Sequence, residues 1–136
     1  MKAGKLLVDT SAWILSFKKA GHRELKNLLR QAIDTEHVVI THFIMLELLQ
    51  GCRSKKEMRD LKARLETLEI CSIKELSWDR LFELAFSLRR KGLTIPTLDI
   101  LAAFLCMEKG YALLHHDHHF RMIAENTPLE TIDFLD

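Results

Sequence analysis

Short apolar runs alternate with longer amphipathic segments along the whole chain. Runs of aliphatic and β-branched residues predict strands at 5–8, 37–40, 69–73, 111–114 and 129–134. Apolar residues at helical spacing predict helices at 11–18, 23–32, 42–50, 54–68, 77–90, 97–109 and 117–125. Strands that alternate with helices predict an α/β/α sandwich around a central, mostly parallel sheet.

Residues that favour helix ends support these boundaries. Ser54, Ser77 and Thr97 are expected to cap the starts of three helices, and Glu57 would complete a capping box with Ser54. Glycine follows the expected ends of three helices, as it often does at helix C-termini; these are Gly51, Gly92 and Gly110. The 136 residues are expected to form a single domain, 1–136.

Four carboxylates occur where the apolar pattern predicts buried carbon. Asp9 and Asp117 follow strand-like runs, Glu47 lies inside an apolar helix, and Asp99 precedes a long apolar run. Ligands in parallel α/β sheets collect at the carboxyl ends of the strands, where Asp9 and Asp117 are expected. Burying unpartnered carboxylates is unfavourable, so their convergence predicts a site for a hard divalent cation such as Mg²⁺ or Mn²⁺.

Each acid also has an ordinary structural explanation. Asp9 and Asp117 are suitable helix N-caps, Asp99 lies where the helix dipole favours an acid, and Glu47 could point to solvent. The four acids together are harder to explain in this way, and Glu47 is the hardest of them.

The histidines around Asp117 allow several interpretations. His115, His116, His118 and His119 would suit Zn²⁺ by ligand type, but their H-H-D-H-H spacing differs from familiar zinc-hydrolase motifs. A solvated turn, or contact of one or two imidazoles with substrate, remains open.

Composition excludes few functions. Net charge is +1, with 48% hydrophobic and 29% charged residues. The segment 53–64 carries six basic and two acidic residues, which would suit either a solvated helix face or contact with a polyanion. The three widely spaced cysteines predict reduced thiols and a cytoplasmic location, and the longest apolar run, 100–107, is too short to cross a membrane.

Four motifs in order along the chain resemble those of PIN-domain ribonucleases. They read LLVDTSAW at 6–13, MLELLQG at 45–51, TLDILAA at 97–103 and LLHHDHHF at 113–120. Each motif alone is weakly specific, but the ordered set covers nearly the whole chain. The chain looks most similar to the VapC toxins of bacterial toxin–antitoxin pairs.

This resemblance implies a Mg²⁺- or Mn²⁺-dependent endoribonuclease that acts on RNA, dimerises, and is inhibited by a small antitoxin protein. It implies metal-site and catalytic roles for the four acids and a supporting role for the hydroxyl of Thr10 or Ser11. Some relatives carry a second acid two residues after the last motif's aspartate. Here that position is His119, which is a poorer ligand for Mg²⁺ and is expected to play a supporting role at most.

Two other functions remain open from the sequence. A non-catalytic PIN-like module that binds RNA or protein would be expected to lack one or more of the acids. A phosphoacceptor receiver domain would be expected to carry an acidic pair near its N-terminus, where Asp9 stands alone.

Overall fold

A computed structural model describes residues 4–135 of the chain. Its centre is a five-stranded sheet in the order β3-β2-β1-β4-β5, and all four strand pairings are parallel. The strands are β1 (Leu6–Val8), β2 (Val38–Ile40), β3 (Glu69–Ile70), β4 (Ala112–His115) and β5 (Thr131–Asp133). The predicted α/β class and parallel sheet are therefore confirmed.

Seven helices connect the strands within the described residues. They are α1 (Thr10–Ser16), α2 (Arg23–Asp34), α3 (His42–Gln50), α4 (Lys55–Leu65), α5 (Trp78–Arg90), α6 (Thr97–Lys109) and α7 (His118–Asn126). Helices α1 to α4 contact one another, as do α5 to α7. These two groups are the outer layers of the sandwich.

The strand order explains why the helices form two layers. From β1 the chain moves outward through β2 to β3, and it then returns across the sheet to β4 and β5. Parallel crossovers are right-handed, so a reversal of direction places the later helices on the opposite face. The reversal creates a crevice between β1 and β4 at their carboxyl ends, which is where α/β sheets bind ligands.

Helix α6 supplies much of the core on one face of the sheet. Seven consecutive residues, Ile100 through Cys106, are buried, because the helix packs against α5, α7 and β4. Its last turn is closed by Gly110, whose φ of 74° is readily adopted by glycine. The buried segment starts one residue after Asp99 and therefore anchors that acid at the sheet edge.

Several predicted boundaries differ from the structure. Thr97 does not cap α6: the N-cap position is Pro96, which offers no side-chain acceptor, and Thr97 is the first helical residue. The Ser54 hydroxyl accepts the Glu57 N–H, but the Glu57 carboxylate accepts no hydrogen bond from the Ser54 N–H among residues 4–135, so the predicted capping box is incomplete. Strand β3 spans two residues rather than five; the Cys71 N–H still donates to the Ile40 carbonyl of β2, and the chain leaves the sheet edge after it.

The smaller differences concern the ends of elements. Helix α1 stops at Ser16 and α2 continues to Asp34, while β5 is shorter than its apolar run.

Within the described residues, no helix has the length and apolar character needed to cross a membrane.

Candidate metal centre at the edge of the sheet

Asp9 stands at the carboxyl end of β1 and is also the N-cap of α1. Its Oδ2 accepts the Ser11 N–H at 2.9 Å and the Ser11 hydroxyl at 2.6 Å. The residue is only 6% exposed, and its own N–H donates to the Leu114 carbonyl of β4. Asp9 therefore has the ordinary capping role that its sequence context allowed, and it also lies at the β1–β4 crevice.

Ser11 joins the two central strands through its side chain. Its hydroxyl donates to Asp9 and accepts the His116 N–H at 3.0 Å, 105 residues further along the chain. This places the segment after β4 directly against the first turn of α1. Ser11 thus fixes the position of Asp9 relative to the loop that leads to Asp117.

Thr10 performs a similar task for the acid on α3. Its hydroxyl donates a 2.8 Å hydrogen bond to Glu47 Oε1, across 37 residues of sequence. Glu47 is half-buried, although α3 is apolar around most of its surface. The bond gives Glu47 a partner at the sheet edge, and it accounts for an acid that solvent exposure alone explains poorly.

Asp99, Asp117 and His119 form the tightest group of potential metal ligands. One ligand atom from each lies within 4.8 Å of the other two. His119 Nδ1 is 3.1 Å from Asp117 Oδ1 and 3.3 Å from Asp99 Oδ2. Asp117 is the N-cap of α7 and accepts the His119 N–H at 2.9 Å, which also holds the imidazole beside the acids.

The carboxylates of this group would be stabilised by a nearby positive charge. Burial, together with the nearby Asp9 and Asp117 carboxylates, raises the pKa of Asp99 to about 7, although His119 acts in the opposite direction. Burial also raises the pKa of Asp9, with Glu47 adding to the effect and the Ser11 hydrogen bonds opposing it. The acids thus repel one another across the crevice, and a bound cation would relieve that repulsion.

His115 supports the group from inside the fold. Its side chain is fully buried at the end of β4, and its Nδ1 accepts the Asp117 N–H at 3.2 Å. A neutral ring with Nδ1 as acceptor carries its hydrogen on Nε2, which lies 4.0 Å from Asp133 Oδ2. Burial lowers the pKa of His115, which favours this neutral form.

The residues present fit a divalent cation. Carboxylate oxygens are the preferred ligands of Mg²⁺ and Mn²⁺, and two of them here face an imidazole nitrogen that has no hydrogen-bond partner within residues 4–135. Asp9 and Glu47 lie outside the tightest group but close enough to influence the pKa of Asp99. The structure therefore brings all four predicted acids to one region, with His119 nearer the centre than its sequence position suggested.

The sequence grouped His115 with its three neighbouring histidines but gave no signal for its buried, supporting position, because a histidine between a strand and an acid resembles a turn residue. Its neighbours differ from it in environment. His116 is half-buried and its backbone contacts Ser11, whereas His118 is exposed. A four-histidine zinc site is not present among the described residues, since only His119 joins a group that could hold a metal ion.

A family model for the PIN domain matches residues 6–126. This match covers most of the chain and includes all four acids.

The chain belongs to the PIN domain family. Its curated relatives include VapC ribonuclease Mb1587 of Mycobacterium bovis and ribonuclease VapC11 of Mycobacterium tuberculosis. Each is 25% identical over 134 residues, which cover 95% of this chain and 98% of the relative.

Solved PIN-domain structures share the fold over nearly their whole length. VapBC2 from Rickettsia felis, bound to a DNA fragment from its promoter, superposes with a TM-score of 0.77 at 20% identity and covers 95% of this chain and 98% of its own. DNA-bound VapBC from Salmonella typhimurium gives 0.76 at 17% identity, with coverage of 96% and 98%. The resemblance drawn from the four motifs is confirmed, while the domain limits 1–136 and the individual site residues stay predictions.

Proposed function

We propose that this PIN domain is a metal-dependent endoribonuclease and the toxin of a toxin–antitoxin pair. The observation that carries the proposal is the meeting of Asp99, Asp117 and His119 at the β1–β4 crevice, with Asp9 and Glu47 beside them. The names of the curated relatives, both ribonucleases of the VapC type, support the reaction and the substrate.

The chain's own residues would have separate roles at the site. Asp99 and Asp117 would hold a Mg²⁺ or Mn²⁺ ion, with Asp9 and Glu47 positioned by Ser11 and Thr10 to complete its surroundings. The ion, when bound, would supply Lewis-acid activation of water and neutralise charge on the phosphodiester. One of the ionised carboxylates would orient the attacking water by accepting a hydrogen bond from it.

The acids argue against the non-catalytic alternative. A module that only binds RNA or protein has no need for mutually repelling, partly buried carboxylates, which destabilise the unloaded fold. All four are retained, and two of them are held in place by dedicated hydroxyl donors.

The catalytic test uses Asp9→Asn, because asparagine keeps a capping oxygen for the Ser11 N–H while losing the charge. The matched control is Asp79→Asn, which makes the same change at an exposed site in the first turn of α5. RNA cut by the purified proteins is sequenced at both ends. Internal cuts by the wild type and Asp79→Asn, with none by Asp9→Asn, support the proposal; full activity of Asp9→Asn overturns it.

The antitoxin partner is supported by the solved relatives, which are described as VapBC complexes. A groove between α1, α2 and α4 has the character expected of its docking site. An apolar part of about 290 Å³ is lined by Trp13, Phe17 and Ile33, and the buried Trp13 Nε1 has no hydrogen-bond partner within residues 4–135. Lys56 and Arg64 of the basic helix line the adjoining part.

The homodimer is proposed at a different surface. Trp78, Phe82 and Phe86 form a stripe along α5 at intervals of four residues, and they are 44%, 62% and 67% exposed. Such a continuous aromatic stripe is unusual on a surface that stays in water. A second copy of the chain would bury it.

One pair of variants separates the two partners. Phe17→Glu is expected to abolish co-purification with the product of an adjacent small reading frame while leaving the dimer intact. Phe86→Glu is expected to give a monomer by light scattering while keeping that partner. If both variants keep both assemblies, these surfaces are wrongly assigned. The cytoplasm, where RNA is available, is the proposed location, and the three free cysteines accord with it.

A further inference from the structure

The imidazole of His119 faces the acids with a nitrogen that makes no hydrogen bond to any of residues 4–135. Its Nδ1 is shielded from solvent and has no hydrogen-bond partner within residues 4–135, although carboxylate oxygens of Asp99 and Asp117 lie 3.3 and 3.1 Å away. We propose that His119 binds the cation directly through Nδ1, so that the site prefers Mn²⁺ and later first-row ions to Mg²⁺. The inference rests on the metal site of the proposed function and goes beyond it by naming the ligand that selects the ion.

The spacing of the three donor atoms suits one coordination sphere. An octahedral ion with ligand distances of about 2.1 Å holds neighbouring ligand atoms about 3.0 Å apart. The two separations from Nδ1, 3.1 and 3.3 Å, are close to this value. The ligand atoms of Asp99 and Asp117 lie within 4.8 Å of each other, so all three donors can contact a single ion after side-chain adjustment.

The alternative is an ion pair in which a protonated His119 replaces the metal. That arrangement would direct an Nδ1–H at a carboxylate oxygen in hydrogen-bond geometry. Neither close contact has such geometry, since Nδ1 has no hydrogen-bond partner in the described part of the chain. The Asp117–His119 backbone bond places His119 beside the acids, and in the tautomer that carries its hydrogen on Nε2 the Nδ1 lone pair faces the crevice.

The expected selectivity follows from ligand chemistry. Mg²⁺ is bound by oxygen ligands and gives up water reluctantly, whereas imidazole suits transition metals. Replacing one oxygen ligand by nitrogen therefore weakens Mg²⁺ binding relative to Mn²⁺. Affinities are expected to rise further from Mn²⁺ to Co²⁺ and Ni²⁺ in the usual order.

The test observes the nitrogen itself. Mn²⁺ is added to the purified full-length protein, and pulsed electron paramagnetic resonance records whether a ¹⁴N nucleus is coupled to the bound ion. Competition with Mg²⁺ in the same samples gives the ratio of the two affinities. We expect ¹⁴N coupling in the wild type and a clear preference for Mn²⁺.

Two variants differ only in which neighbouring histidine becomes an acid. His119→Asp is expected to lose the ¹⁴N coupling and to reduce the Mn²⁺-to-Mg²⁺ affinity ratio by about tenfold or more, since even outer residues of metal sites change affinity by that amount. His118→Asp adds the same charge in the same turn at an exposed position and is expected to behave as the wild type.

Absence of ¹⁴N coupling in the wild type would overturn the inference, even if His119→Asp failed to fold. An unchanged affinity ratio in folded His119→Asp would overturn it as well. In either case continued metal-dependent RNA cleavage would leave the proposed function standing. Cleavage by a wild-type protein that binds no divalent ion would refute both.

Discussion

The Thr10 hydroxyl donates a 2.8 Å hydrogen bond to Glu47 Oε1 and thereby ties α1 to α3 at the carboxyl edge of the sheet. Glu47 lies on a helix that packs its apolar residues against the core, so its carboxylate must be held at the crevice by a specific contact. Thr10 directly follows Asp9 in the chain, so the first turn of α1 positions both Asp9 and Glu47.

Replacing Thr10 by valine keeps the side-chain shape and removes the donor. We expect RNA cleavage to fall by about tenfold and stability by about 1 kcal/mol, because a part-buried acceptor loses its partner. Thr10→Ser keeps a hydroxyl and should retain most activity. Initial rates at saturating metal, with urea denaturation of all three proteins, test this prediction. Equal rates for Thr10→Val and wild type would show that the Thr10 hydroxyl has no role in cleavage.

Ser11→Ala is expected to affect two partners at once. Asp9 loses its shortest hydrogen bond and the His116 N–H loses its acceptor. We expect a loss of about 1–3 kcal/mol in stability, the usual cost of leaving part-buried polar groups unsatisfied, together with weaker metal binding. Ser87→Ala on the exposed side of α5 is the control and should be near neutral. The contrary result is a Ser11→Ala protein as stable as this control.

His115 is expected to position Asp117 through the backbone. His115→Leu removes the acceptor of the Asp117 N–H, whereas His115→Asn places an oxygen near the position of Nδ1. Both variants should be less stable because the site is fully buried. At a temperature where both are folded, the asparagine variant should keep more of kcat than the leucine variant. Equal kcat values would show that His115 serves only packing.

Asp99 makes the unloaded protein sensitive to pH. Burial and neighbouring acids raise its pKa to about 7 from the ordinary 3.8. Between these pH values the folded state keeps a proton that the unfolded chain releases, so this group lowers stability as pH rises towards 7, and the loss is complete above it. Asp99→Asn cannot ionise and should therefore be more stable than wild type in chelator by about 1–3 kcal/mol near pH 8.

That advantage should shrink as pH falls towards 4, where the unfolded wild-type chain is also protonated at Asp99. Urea denaturation across this range measures the effect, and Asp34→Asn, exposed at the end of α2, is the matched control. A stabilisation independent of pH would mean that ionisation of Asp99 in its buried, acidic surroundings is not its cause.

Order along the chain made the fold predictable, together with the meeting of the four acids at one edge of the sheet; their roles in binding a cation stay predictions. Strand-like runs ending at Asp9 and before Asp117 indicate one edge of a parallel sheet, and the motifs identify the family. The sequence did not reveal that Thr10 and Ser11 have different partners, because hydroxyl contacts span 37 and 105 residues. The central position of His119 depends on the turn that starts α7, and spacing alone does not determine which way that imidazole points.

The boundaries that were wrong reflect competing local effects. Thr97 is a good capping residue by type, but Pro96 fixes the backbone before the helix, so Thr97 becomes the first helical residue. The apolar run after Glu69 suggested a longer strand, yet the chain leaves the sheet edge after Cys71, whose N–H donates to the Ile40 carbonyl and whose side chain is buried beside Tyr111.

RNA cleavage by the purified protein after metal removal and stepwise addition of Mn²⁺ tests the central claim most directly. The wild type is expected to lose activity in chelator and to recover it with Mn²⁺, and Asp99→Asn, folded and stable, is expected to remain slower by at least about a hundredfold at every concentration. Cleavage that continues in chelator, or wild-type rates from Asp99→Asn, would contradict an endoribonuclease that works through a cation held at this edge of the sheet.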